Sequence, residues 1–451
     1  MPDPDWPAPV APGPLDATVV LPGSKSLTNR YLVLAALASG TSRLRRPLRS
    51  RDTELMAQAL RGLGAGVEDA TGSTRRASDP AAPTRPARDG ADAGDAHDWL
   101  VTPSALRGGR PVDCGLAGTV MRFLPPVAAL CREPVAFDGD PQARVRPMGA
   151  VLGALRTLGV EVVDDGRGSL PFEVRGTGAV RGGTVVMDAS ASSQYISALL
   201  LAGSRFEQGV TIVHEGRPVP SEPHLAMTVE TLRDAGAVVD DSEADTWRVE
   251  PGELLPLDVT IEPDLSGAAP FVAAALVAGG IVRVTGWPQH TTQAGDRIRD
   301  VLDVMGADVH LGADGLTVTG DGHPLGLDVD LHDAAELTPV VAAIAACAES
   351  PSVIRGVGHI RGHETDRIAA LATELTALGA HVEERDDGLR IEPRPLRGAP
   401  FATYADHRMV MAAALVALRA PGTLVRDPGT VAKTMPDFTT LWDRMLTGSA
   451  S

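Results

Sequence analysis

The chain has 451 residues and a formal charge of −17, with 43% apolar but only 3% aromatic side chains. A length of this order makes two domains or one unusually large one, with interiors built from Ala, Val, Leu and Gly rather than from rings. The acidic balance and the scarcity of aromatics exclude nucleic acid and anionic membrane as partners, and leave a small anion only a local cationic pocket that opposes the overall field.

The first fourteen residues are proline-rich and acidic, without the positive start and apolar run of a signal peptide. Nowhere do about 18 uninterrupted apolar residues occur, so no membrane span is expected. Cys114, Cys131 and Cys347 are odd in number and lack metal-ligand spacing, as for free or buried thiols in a reducing compartment. A soluble, cytoplasmic protein is expected.

Val19-Val20-Leu21-Pro22 ends a strand, and Leu27, Tyr31, Leu34, Ala35 and Ala38 mark one face of the helix that follows. Between them lies Gly23-Ser24-Lys25-Ser26, with Arg30 one turn into the helix. Free N–H groups at a helix start, hydroxyls and two cations make an anion site. The leading Gly-x4 spacing of a Walker loop is missing. A purely structural role, Ser26 as N-cap and Arg30 in solvent, fits the same residues. Lys25 carries extra weight because, of 41 basic residues, only Lys25 and Lys433 are lysine. An ammonium is compact and can release its proton, which a guanidinium cannot, so both lysines are candidates for work that arginine does badly.

Further along, one signature recurs: an apolar-periodic helix, a glycine stop and a short valine-rich strand. Its glycines are Gly64, Gly159, Gly236, Gly306 and Gly379, separated by 95, 77, 70 and 73 residues. Glycine just past the last turn is the expected left-handed cap. The long first interval contains 71–98, rich in Ala, Asp, Arg, Pro and Gly, which reads as a surface insertion whose deletion leaves folding and turnover nearly unchanged. Without its 28 residues that interval falls to 67. A period of roughly 70 is too long for a solenoid and implies about six repeated α/β units.

Four more segments can carry chemistry, each with a structural alternative. Cys114-Gly115-Leu116-Ala117-Gly118-Thr119 is a turn before a helix bearing Arg122, where glycine admits a ligand close to the backbone. Ser192-Ser193-Gln194 opens the apolar run Tyr195 to Leu201 and offers two hydroxyls and an amide, or simply a cap. His363-Glu364-Thr365-Asp366-Arg367 lacks the second histidine of a zinc motif, so metal is rejected. Its Glu364 and Arg367, three apart on a helix, could pair with each other. Asp406-His407-Arg408 starts a helix at which Asp406 is an ordinary N-cap.

Taken together, Leu21 to Arg30, Leu116 to Arg122, Ser192-Ser193-Gln194, Glu364 to Arg367, Asp406-His407-Arg408 and Ala432-Lys433-Thr434 resemble the 5-enolpyruvylshikimate-3-phosphate synthase family, in order from about residue 16 to 440. The resemblance implies an α/β fold of two domains, the inside-out α/β barrel of enolpyruvyl transferases. It has six βαβαββ-type units, three per domain. One domain would be discontinuous, 1–22 and 264–451, and the other inserted, 23–263, with a cleft between them that closes on substrate.

The implied reaction transfers the enolpyruvyl group of phosphoenolpyruvate to the 5-hydroxyl of shikimate 3-phosphate by addition and elimination, with no metal or organic cofactor. By motif, Lys25, Ser26, Arg30, Ser192, Ser193, Gln194, Ser221, Glu336 and His363 would meet shikimate 3-phosphate. Lys25, Gly118, Arg144, Arg367, Arg408 and Lys433 would hold phosphoenolpyruvate. Lys25, Glu336, Glu364 and Lys433 would be catalytic. Glu364 would carry the proton at the methylene carbon, and Glu336, with Asp333 as runner-up, would be the hydroxyl base. Glyphosate is the implied inhibitor, and a monomer is expected.

Departures are Leu116 for a frequent asparagine, Gln142 for the usual arginine after Pro141, His224 for a frequent tyrosine and His363 for a frequent lysine. With Gln142 in place, the substrate arginine becomes Arg144, or less readily Arg146. Two other readings are weighed. The sister transferase acting on UDP-N-acetylglucosamine usually has Lys-Asn where this chain has Lys25-Ser26. A non-catalytic anion-binding protein on the same scaffold could lose Glu336, Glu364 or Lys433, and all are present.

Overall fold

The computed structural model describes residues 4–70 and 98–448. Two separate hydrophobic cores organise them, one drawn from Leu27 to Ile261 and the other from Ala8 to Leu21 together with Leu265 to Leu446. Three helices form the centre of each. Lys25–Leu37, Gly118–Ala128 and Gln194–Gly203 serve the first, and Leu265–Ala278, Thr338–Ala346 and His407–Ala417 the second. Beyond their first turns these helices are buried on every side, which only an apolar, alanine-rich sequence permits. Around them lie the sheets, whose strands alternate buried and exposed residues as in Leu15–Val19. Helices inside and sheets outside give the inside-out α/β barrel its name.

Five four-stranded sheets and one three-stranded sheet are present among the described residues. A complete unit runs as Val112–Asp113 parallel to Val135–Asp138, joined through a buried helix. An outer helix and the antiparallel strands Glu161–Val163 and Phe172–Arg175 follow. Two units borrow a strand across the chain: Asp258–Thr260 pairs with Ser42–Arg45, and Leu15–Val19 with Gly280–Thr285. The three-stranded sheet takes Trp6–Pro7 instead of a terminal hairpin.

All five repeat glycines take a left-handed φ, between 80° and 114°. Each closes its helix with the same long bond from the next residue, for example Ala65 N–H to the Leu60 carbonyl and Ala380 N–H to that of Leu375. A sixth outer helix, Phe438–Thr447, also ends on a left-handed glycine, Gly448. The segment 71–98 lies outside the described residues except for its last residue, Asp98. Asp98 is buried, accepting from Arg43 Nε at 2.9 Å and from the Arg46 N–H at 3.0 Å.

The chain passes between the cores twice, and the two passages lie side by side. Gly23 bridges Pro263, the Ser24 N–H donates to the Glu262 carbonyl at 2.7 Å, and the Asp264 N–H to that of Pro22 at 3.0 Å. A Cβ on Gly23 would stand 2.4 Å from the Arg46 carbonyl, so only glycine fits there. Both passages turn directly into helices. Asp264 caps its own by accepting from the Gly267 N–H (2.8 Å) and also takes the Lys25 N–H (3.1 Å), which locks the two starts together. No helix among the described residues is long and apolar enough to cross a membrane.

Candidate active site

A cavity of about 420 Å³ opens between the two cores; the first turns of five of the six central helices line it, and Glu336, two residues ahead of the sixth, does so as well. Orphan N–H groups and the positive ends of helix dipoles make such a place attractive to anions before any side chain is counted. The charged lining comprises Lys25, Arg122, Arg146, Arg217, Arg367, Arg408 and Lys433 against Asp52, Asp264, Glu336 and Glu364. Seven cations and four carboxylates give a local excess of three positive charges inside a chain of net charge −17. That is the local reversal of field a small polyanion requires.

Of the residues anticipated from the sequence, Lys25, Ser26, Gly118, Ser192, Ser193, Gln194, Ser221, Glu336, His363, Glu364, Arg367, Arg408 and Lys433 line this cavity. Arg144 and Arg30 do not. Arg144 is half-exposed and held bidentately by Asp138 at 2.9 and 2.7 Å, outside the cavity lining. Two residues on, Arg146 folds inward, 9% exposed, and donates to the Leu116 carbonyl at 3.3 Å. In this irregular turn a nearby carboxylate captures one arginine, and a main-chain oxygen orients the other. The position of Leu116 is thus used through its backbone.

Arg30 is buried over the Phe123 ring, donating to Thr228 Oγ1 (2.8 Å) and to the carbonyls of Ser26 (3.1 Å) and His224 (3.0 Å). Burial lowers its pKa to about 9. It ties the Lys25–Leu37 helix to the Pro223–Asp234 helix. Asp333, the alternative base, lines a separate outer groove with Trp247 and Arg297.

Helix starts also differ in detail from expectation. Ser24, not Ser26, caps the first helix and leaves the Ser26 hydroxyl to the cavity. The helix after Glu364 begins only at Arg367, capped by Asp366, so Glu364 sits in the preceding turn.

Two constellations set buried carboxylates against cations and hydroxyls. In the first, Glu364 Oε2 accepts from Arg367 Nη2 at 2.8 Å while its Oε1 takes the Lys433 ammonium in a short contact. Arg367 is saturated further by Asp406, at 2.7 and 3.2 Å, and by His363 Nδ1 at 3.1 Å. Burial pushes the Glu364 carboxyl up, but Lys433, Arg367 and Arg146 outweigh it and hold the group well below its ordinary range. In the second, Glu336 accepts from Ser266 Oγ at 3.3 Å, with His224 Nε2 3.9 Å away. Burial raises its pKa, whereas His224 and Arg408 lower it further, so the carboxylate is ionised. The Arg408 guanidinium has no hydrogen-bond partner of its own among the described residues, which leaves it open to a ligand.

Lys25 stands 3.5 Å from Asp52 at the cavity wall. Burial depresses its pKa, Asp52 opposes that shift, and Lys433 adds to it. Around Gly118 two guanidiniums converge: a Cβ there would meet Arg122 Nη1 at 2.9 Å and Arg146 Nη2 at 3.1 Å. Arg122 is fixed by Gln194 at 2.8 Å, and burial, with Arg146 beside it, lowers its pKa to about 10. Two cations that repel each other across a glycine form a seat for an anion.

Asp52 carried no signal in the sequence beyond an acid in the first turn of a helix, a position that favours acids for structural reasons. Arg122 follows Gly118 by one helical turn, a spacing that places it at the same helix start.

A family model for EPSP synthase (3-phosphoshikimate 1-carboxyvinyltransferase) matches residues 10–442. A 3-phosphoshikimate 1-carboxyvinyltransferase of Kocuria rhizophila is 53% identical over 443 residues, covering 98% of this chain and 96% of the relative. Among solved structures, an EPSP synthase from Acinetobacter baumannii superposes with a TM-score of 0.77 at 23% identity, over 97% of both chains. The enolpyruvyl transferase NikO from Streptomyces tendae follows at 0.72 and 19%, over 97% of this chain and 96% of its own. These two structural likenesses bear on the fold.

Proposed function

The chain belongs to the EPSP synthase family, the 3-phosphoshikimate 1-carboxyvinyltransferases, and from that premise we propose how its cavity moves the enolpyruvyl group of phosphoenolpyruvate to the 5-hydroxyl of shikimate 3-phosphate. The observation that carries this assignment is the pair of buried carboxylates, Glu336 and Glu364, in one cation-lined cavity between two cores. Phosphoenolpyruvate takes the cations of Lys25, Arg122, Arg146, Arg408 and Lys433, with its phosphate near Gly118. Shikimate 3-phosphate lies along Ser26, Ser192, Ser193, Gln194 and Ser221, its 5-hydroxyl towards Glu336.

Glu364 is paired with Lys433 and Arg367. An incoming anion competes for those cations, raises the pKa of Glu364 and lets it hold the proton that C3 needs. The hydroxyl then attacks C2 as Glu336 takes its proton. Bound anion on Arg408 likewise restores the basicity of Glu336. In the second half Glu364 takes a proton back from the C3 methyl as the C2=C3 bond re-forms and the C2–O bond to phosphate breaks; phosphate departs beside Lys433, and the hydroxyl proton held by Glu336 leaves with it or to solvent. The two cores become the two domains, 1–22 with 264–451 and 23–263, and their relative motion closes the cleft. A monomeric, cytoplasmic enzyme completes the proposal.

A phosphate-release assay with shikimate 3-phosphate, with UDP-N-acetylglucosamine and without acceptor tests this assignment. Release should need the first acceptor alone, and release with the second would overturn it. Arg146→Ala should raise the phosphoenolpyruvate KM at least about tenfold, the weight of a charge-assisted hydrogen bond. Arg144→Ala should stay within about twofold. The opposite pattern would return the role to Arg144.

Glyphosate, a phosphonate and carboxylate on a chain slightly longer than phosphoenolpyruvate, is proposed to occupy the same seat. A methyl in Gly118→Ala crowds Arg122 and Arg146 and penalises the longer molecule more. The variant should lose glyphosate inhibition strongly and phosphoenolpyruvate affinity by a smaller factor. Wild-type enzyme indifferent to millimolar glyphosate, or a variant inhibited as before, would remove Gly118 from that seat.

A further inference from the structure

We propose that His214, which does not line the cavity, is a positioning residue: its imidazole, held as one neutral tautomer, clamps together the two loops that form the shikimate 3-phosphate wall. The inference rests on the assignment of that substrate to Ser192, Ser193, Gln194 and Ser221. The strands Gly183–Met187 and Val210–His214 run parallel with Met187 opposite His214. Both loops therefore leave the sheet at its carboxyl edge, next to each other, where ligands of parallel strands gather. One loop leads through Ala189 and Ser190 to Ser192 and Ser193. The other leads through Gly216 and Arg217 to Ser221.

His214 is 7% exposed and sits between them. Its Nδ1 accepts from the Ala189 N–H at 3.1 Å, and its Nε2 lies 2.8 Å from the Arg217 carbonyl. A ring nitrogen that accepts carries no hydrogen, and a carbonyl can only accept, so the hydrogen resides on Nε2 and both contacts are satisfied by that tautomer alone. The same Arg217 carbonyl receives the Ser190 hydroxyl at 2.9 Å, a second tie between the loops. Packing leaves no slack, since a Cβ on Gly216 would stand 2.5 Å from both Asp188 Oδ1 and Ser190 Oγ. Ser192, whose Oγ accepts from the Gln194 N–H at 3.3 Å, is carried by the clamped loop. A group acting this way should set affinity for one substrate and leave the chemistry and the other substrate alone.

The test is steady-state kinetics and shikimate 3-phosphate calorimetry on the full chain, with melting curves as the folding control. His214→Leu removes both bonds and should raise the shikimate 3-phosphate KM about tenfold, the size of two ordinary hydrogen bonds. At saturating shikimate 3-phosphate, kcat and the phosphoenolpyruvate KM should change less than about twofold. His214→Asn can keep an acceptor for Ala189, and His214→Gln a donor for Arg217, so each should recover part of the loss. Gly216→Ala, which forces the same loops apart without touching the imidazole, should reproduce the selective effect and serves if the leucine variant does not fold. Nitrogen NMR of the ring should show the Nε2–H form.

A folded leucine variant with unchanged shikimate 3-phosphate KM, equal losses for both substrates, or an Nδ1–H ring would each overturn the clamp. Ser193→Ala separates the two levels. If it weakens shikimate 3-phosphate while the His214 variants do not, the clamp fails. If it has no effect, the substrate assignment beneath the clamp fails instead.

Discussion

Glu336→Gln should fold normally, bind shikimate 3-phosphate and turn over at least about a hundredfold more slowly, the lower range for loss of a general base. The amide is isosteric and can still accept from Ser266 Oγ, the one side-chain hydrogen bond the carboxylate makes among the described residues, at 3.3 Å. Fold and ligand geometry should therefore survive while the proton acceptor is lost. The effect should fall on kcat and on kcat/KM together, as expected for an interaction used in the transition state. Asp333→Asn is the control. Its carboxylate faces the outer groove and should leave turnover near wild type. If Asp333→Asn is the slow variant, the base has been placed three residues too far along this segment.

How much of this was legible in the sequence differs between the fold and the site. Five helix stops at even spacing pointed to repeated α/β units because a Schellman glycine and a following strand are local events that leave local marks. Six units were expected from the period, but the helix stop of the sixth was not among the five recurring signatures. Gly448 ends its helix, but the strand beside that helix comes from Trp6–Pro7 at the other end of the chain.

Motif order located the cavity-lining residues on helix starts, where position along the chain fixes which end faces the ligand. It failed inside the irregular turn at 141–146, because no period there tells which of Arg144 and Arg146 turns inward. Arg30 shows the converse failure. One helical turn after Ser26 it falls on the face of that cavity-lining serine, yet Thr228, nearly two hundred positions away in sequence, takes its Nε. Long-range capture of a cation by the Thr228 hydroxyl and the His224 carbonyl leaves no trace in local spacing.

Lys25→Arg and Lys433→Arg should each cost at least about 2 kcal/mol of transition-state stabilisation, roughly thirtyfold in kcat/KM. Charge is preserved in both, so a role limited to attracting anions would predict little change. Lys433 argues otherwise. It is 8% exposed, its ammonium sits against Glu364, and Arg367 already occupies the other oxygen of that carboxylate. A planar guanidinium in place of Nζ would crowd a pocket shared with Arg367 and make a second fork where the proposed reaction has a point charge pass from Glu364 to the departing phosphate. It also could not exchange a proton.

Lys25 lies at the first turn of its helix, in a pocket where burial and neighbouring cations already weaken its hold on a proton. Arginine at that place would stay charged and, being longer, would press on Asp52. Melting curves should show both variants folded, because neither lysine belongs to either hydrophobic core. Near-wild-type kinetics in a folded variant would mean that the corresponding lysine serves only as a charge, and that its rarity in this arginine-rich chain carries no chemical meaning.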